Sequence, residues 1–82
     1  MKILVDGLTA AGVHVLVREP ETQRYEIEID GEPVAYSNAT RLRDGGTTTI
    51  ETERGQIHAS RRMFAEHWDS FNGERLTPRT PD

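Results

Sequence analysis

The chain has 82 residues, a mass near 9.3 kDa, no cysteine, 34% hydrophobic and 29% charged residues, and a formal net charge of −4. That leaves room for one core, excludes disulfide frameworks and thiolate metal sites, and removes the general attraction to phosphate that drives non-specific nucleic-acid binding. The apolar runs are no longer than Ile3-Leu4-Val5, too short to span a bilayer, and Asp6 soon follows the single Lys2, so no secretory signal is read and a cytoplasmic location is expected.

Lys2–Val5 reads as a strand, and Asp6-Gly7 and Gly12 bracket Leu8–Ala11 as a turn or single helical turn. Val13, Val15 and Val17 then alternate with His14, Leu16 and Arg18. Tyr25, Ile27 and Ile29 alternate with Glu26, Glu28 and Asp30. This period of two marks strands with one dry and one wet face. Taking Glu19–Gln23 as a five-residue loop sets Val17 opposite Tyr25, Val15 opposite Ile27 and Val13 opposite Ile29, with Arg18 against Arg24 and His14 against Glu28. A slip of one residue would put the apolar set against carboxylates, so the faces are fixed.

Asp30-Gly31 predicts a tight hairpin turn, because both central positions of a type I′ turn need positive φ. Ile27 then faces Val34, and Tyr25 faces Tyr36. Pro33, with no N–H to donate, places that strand at a sheet edge. Residues 37–47 read as a connection with a short strand around Thr40–Arg43, punctuated by Gly45-Gly46. Thr47–Glu53 and Gln56–Ser60 make a further hairpin around Arg54-Gly55, with Ile50 opposite Ala59 and Glu51 opposite His58; the alternative is a looser turn in which Gly55 carries the positive φ. From Ser60 the period changes. Phe64, Trp68 and Phe71 share one stripe of a short helix that stops at Asn72-Gly73. The predicted architecture is a mainly β (α+β) domain over residues 1–73. It is an antiparallel β-meander of five or six strands covered by one short C-terminal helix, with a small β-barrel as the alternative. Residues 74–82 read as a flexible tail.

Reactive groupings are absent from this pattern. His14, His58 and His67 have no metal-ligand spacing, and no metal or cofactor is expected. The pairs Glu26/Glu28 and Glu51/Glu53 read as solvated carboxylates, unlike an acid/base pair held across a cleft with one member desolvated. There is no nucleophile elbow. The segment Arg41–Thr48 contains Gly45-Gly46 but lacks the Gly-Lys-Ser/Thr core of a phosphate-binding loop. Asn38-Ala39-Thr40 matches a glycosylation acceptor without a secretory context.

Charge is unevenly placed. Residues 1–40 hold three basic and seven acidic side chains, whereas residues 41–82 hold seven of each. The expectation is therefore a non-enzymatic interaction domain, a small accessory or inhibitor protein. Its acidic face of Glu19, Glu21, Glu26, Glu28, Asp30 and Glu32 would meet a basic surface on a protein partner, such as a nucleic-acid-binding protein. The alternative is a nucleic-acid-binding β module using Arg41, Arg43, Arg54, Arg61 and Arg62; a small ligand carrier or enzyme is the least favoured reading. Phe64, Trp68 and Phe71 are candidate interface aromatics if the helix is not part of the core. A homodimer through a strand edge or through that stripe is compatible with each.

Overall fold

The computed structural model describes residues 2–41, 47–60 and 69–79. They form ten strands in two antiparallel sheets. The first sheet contains β1 (Lys2–Leu8), β2 (His14–Glu21), β3 (Arg24–Ile29), β4 (Glu32–Val34) and β10 (Thr77–Pro78), in the order β10-β1-β2-β3-β4. The second contains β5 (Tyr36–Arg41), β6 (Thr48–Thr52), β7 (Gly55–Ala59), β8 (Ser70–Phe71) and β9 (Glu74–Arg75), in that order. The chain changes sheets twice, at Ala35 and at Leu76.

One core draws on both layers. Val5, Val15, Val17, Ile27 and Ile29 come from the first sheet and Ile50, Ile57 and Ala59 from the second. The alternation in β2 and β3 produces this directly, since residues two apart share a face and Val15, Val17, Ile27 and Ile29 are almost fully buried. Burial of each such aliphatic side chain contributes about 1.5–3 kcal/mol.

Several expectations are corrected. The cover for the dry face is a second sheet: among the described residues there is no helix, and Phe71 lies in β8 opposite Ile57. Phe64 and Trp68 fall outside the described residues. Asn72-Gly73 is a hairpin turn between β8 and β9, with φ of 52° and 81°, the same positive-φ chemistry that can end a helix. The β-barrel alternative fails because both described sheets have open edges. The single meander of five or six strands becomes two sheets. Residues 74–79, read as part of a flexible tail, pair as β9 and β10 and bury Leu76. Asp6-Gly7 continues β1 instead of turning, and the turn is built by Thr9, whose N–H donates to the Val13 carbonyl at 2.9 Å and whose hydroxyl accepts from the Val13 N–H at 3.1 Å.

Two hairpins also shift by two residues. Val15 faces Ile29 and Val17 faces Ile27, because β2 runs on to Glu21 through an irregularity after Arg18 and turns at Thr22-Gln23, where Gln23 has a φ of 64°. Ile50 faces Ile57 and Thr48 faces Ala59, because the turn centres on Glu53-Arg54 and Gly55 takes a φ of 140°. An even shift keeps every side chain on its face. In the first hairpin it also replaces Arg18 opposite Arg24 by Arg18 opposite Glu26. The Asp30-Gly31 hairpin has the expected register, with Ile27 opposite Val34, φ of 53° and 81° at the turn, and β4 at the sheet edge. The short strand around Thr40–Arg43 is instead the longer β5, from Tyr36 to Arg41.

Candidate functional site

The corner at Ala35 brings side chains of the two sheets together. Val34 ends β4 in the core, Ala35 is exposed, and Tyr36 begins β5 in the other sheet. There the Tyr36 ring meets Tyr25 of β3 edge to face, with centroids 5.7 Å apart and planes at 75°, a favoured aromatic geometry. The tyrosines tie together the two sheets where the backbone ladder is interrupted.

An open groove of about 740 Å³ lies at this corner, lined by Arg18, Tyr25, Glu26, Ile27, Glu28, Pro33, Val34, Ala35, Tyr36 and Glu53. Three carboxylates and one guanidinium line it. The Arg18 Nη1 is 2.7 Å from the Glu28 Oε2 across the strands, so that charge is largely matched, while Glu26 and Glu53 are exposed. Its apolar lining comes from Tyr25, Pro33, Ala35 and Tyr36, with the core residues Ile27 and Val34 behind them.

A second depression, of about 290 Å³, is lined by Gln23, Tyr25, Tyr36, Ser37, Asn38, Ala39 and Arg41. Beside it the Glu19 carboxylate is buried. Its Oε2 accepts the Gln23 N–H at 2.8 Å and lies 3.7 Å from the Arg41 Nη1. A buried carboxylate needs such partners. Tyr25 titrates above its ordinary 10.0, first through burial and then through the Glu19 and Tyr36 charges, with Arg41 and a hydrogen bond with the Thr48 side chain pulling the other way.

The six expected acidic residues are therefore not one face. Glu19 points inward as a structural ligand of Gln23 and Arg41 and leaves the proposed surface. Residue alternation predicts this, since Glu19 is two residues from Val17. Glu21 is exposed at the far end of β2, 3.4 Å from Arg24. Asp30 caps the other end, its Oδ1 accepting the His14 N–H at 2.9 Å, with exposed Glu32 beside it. Glu26 and Glu28 line the groove together with Glu53. Glu53 had no sequence signal linking it to Glu26, because it belongs to the turn of the other sheet.

The histidines pair differently from expectation. The His14 Nε2 is 2.6 Å from the Asp6 Oδ1 and not on Glu28, and Arg79 Nη1 is 3.4 Å from each ring nitrogen. The His58 Nδ1 is 3.3 Å from the Thr49 Oγ1, in place of Glu51. The His58 change follows from the shift in its hairpin, whereas the other shift moves Glu28 opposite Leu16 and Asp6 reaches His14 from β1. His67 lies outside the described residues.

Among the described residues no group of three metal-ligating side chains occurs, and no helix is long and apolar enough to cross a membrane. Of the alternative arginine patch, Arg43, Arg61 and Arg62 lie outside the described residues. Arg41 and Arg54 stand at opposite ends of the β5–β6 ladder, since Arg41 faces Thr48 and Arg54 lies beyond Thr52. The segment Gly45-Gly46 is likewise outside the described residues.

No family model, curated protein or solved structure matches this chain.

Proposed function

We propose that the chain is a non-enzymatic protein-interaction domain that seats a basic segment of a protein partner in the groove at the Ala35 corner. The observation that carries this reading is the lining itself: two tyrosines, Pro33 and Ala35 beside Glu26, Glu28 and Glu53, against the single Arg18. Apolar and aromatic area supplies affinity, and the carboxylates select for cationic side chains and speed encounter. Such a small protein could act as an accessory subunit or as an inhibitor that occludes a basic surface on its partner.

The test is calorimetric titration with extended peptides that alternate arginine and leucine, using the full chain and its Glu26→Lys/Glu53→Lys variant. Binding that weakens about tenfold or more in the variant, and weakens with added salt, supports the reading. Equal binding by both proteins, or none by the unmodified chain to basic peptides, overturns it.

A further inference from the structure

The four sheet edges are not equally protected. β4 has three residues and contains Pro33; β9 and β10 have two each, and β10 contains Pro78. Short length and proline are the ordinary guards of an edge strand. β5 has six residues, Tyr-Ser-Asn-Ala-Thr-Arg, with neither proline nor lysine. Among the described residues no strand pairs with its outer side.

The ladder determines which backbone groups face that side. The β6–β7 hairpin closes on Thr52 opposite Gly55 around two turn residues. That pair exchanges hydrogen bonds across the hairpin, and so do Ile50–Ile57 and Thr48–Ala59 after it. Glu51 and Thr49 therefore turn their backbone groups toward β5, where they meet Asn38 and Thr40. Ala39 and Arg41, opposite Ile50 and Thr48, turn their N–H and C=O groups outward. Ser37, Asn38, Thr40 and Arg41 are exposed, and the depression that Ser37, Asn38 and Arg41 share with Gln23 and Tyr25 lies beside them.

We infer that this edge is an interface between two copies of the chain, with the β5 strands pairing antiparallel about a two-fold axis at Ala39. That register sets Ala39 against its own copy, so that each donates to the other. It places Asn38 across from Thr40 of the second copy, a polar pair suited to cross-strand hydrogen bonding. It places Arg41 across from Ser37 of the second copy, so no like charges oppose each other. The chain is acidic overall, yet β5 holds no carboxylate and one guanidinium, so charge does not oppose self-pairing there. The two second sheets become one continuous sheet, and the interface is isologous. It stands independently of the groove at Ala35, whose carboxylates lie on β3 and on the β6–β7 turn.

Sedimentation equilibrium over about 10 μM to 1 mM, a range suited to a small interface, reads the mass directly. The expected result is a rise from 9.3 kDa toward twice that value. Hydrogen exchange at the Ala39 and Arg41 amides should slow over the same range. Ala39→Pro removes an outward N–H from each copy while sparing the bonds to β6, and weakens association by about thirtyfold or more. Asn38→Lys with Thr40→Lys sets lysines across the axis and gives the same loss, so the proposal remains testable should the proline variant fail to fold. A mass that stays at 9.3 kDa to the top of the range overturns the inference. So does a dimer that survives the lysine variant, or one formed while the Ala39 and Arg41 amides exchange at an unchanged rate.

Discussion

The chain passes between its sheets at Ala35 and at Leu76, and the two crossings are built in opposite ways. Leu76 is 3% exposed and belongs to the core, and its N–H donates to the Asp69 carbonyl at 2.8 Å. It sits so close over β1 that a Cβ on Gly7 would lie 2.9 Å from the Leu76 Cβ and 3.1 Å from the Thr77 carbonyl oxygen. Glycine at position 7 is thus required by contact. Glu74 accepts the Ala10 N–H at 2.5 Å, and the Arg79 N–H reaches the Asp6 carbonyl at 2.9 Å, clamping that crossing from both sides. At the other crossing Ala35 is exposed, and the joint is made by Tyr25, Tyr36 and the Glu19–Arg41 pair beside two open depressions. One crossing is sealed by packing and carries stability. The other is held by polar and aromatic side chains and leaves an open groove beside it.

Substitutions separate the two. Leu76→Ala, by leaving a cavity at the sealed crossing, should lower the unfolding free energy by about 2–4 kcal/mol, measured by urea titration; a loss under about 0.5 kcal/mol would mean that the crossing is not a packed one. At the open crossing, Tyr25→Phe forgoes the hydrogen bond with Thr48 and should cost about 1 kcal/mol at neutral pH. Tyr25 also links this crossing to pH. Its folded-state value lies above 10.0, so between the unfolded and folded values the native state holds more protons than the unfolded chain. Its contribution is fully present below about pH 10 and declines as pH rises through the folded value. Unfolding titrations from neutral to strongly alkaline pH should show a steeper loss for the unmodified chain than for Tyr25→Phe, and parallel curves would remove Tyr25 from the pH response. The smallest effect belongs to Ala35→Ser. As an exposed change that fills no core, it should shift stability by no more than about 0.5 kcal/mol, and a larger destabilisation would show that the open crossing is packed after all.

The alternation of valine and isoleucine with polar residues in β2 and β3 was enough to divide core from surface, and Val15, Val17, Ile27 and Ile29 are buried as that pattern requires. Asp30-Gly31 was legible for the same local reason, a turn whose two positions demand residues tolerant of positive φ. The exact cross-strand partners were not legible. Shifts of two residues conserve the faces, so the hydrophobic pattern cannot distinguish them, and the choice falls to the irregularity after Arg18 and to turn geometry at Gln23 and Gly55. Phe71 misled because an i, i+4, i+7 pattern of aromatics satisfies a helix, while the two residues Ser70–Phe71 alone are too few to show a strand period. Of the candidate site, Glu26 and Glu28 were legible as outward carboxylates of one strand. Glu53 was not, since nothing in the linear order brings the β6–β7 turn to β3.

What sequence alone determined about this protein is the side of each strand that is dry, because that depends only on neighbours two residues apart. The tertiary structure decided what covers the dry side, that Arg41 is the cation beside the inward Glu19, and that Leu76 seals one crossing while Ala35 leaves the other open. Those outcomes depend on residues far apart in the chain competing for the same space, and no local period encodes that competition.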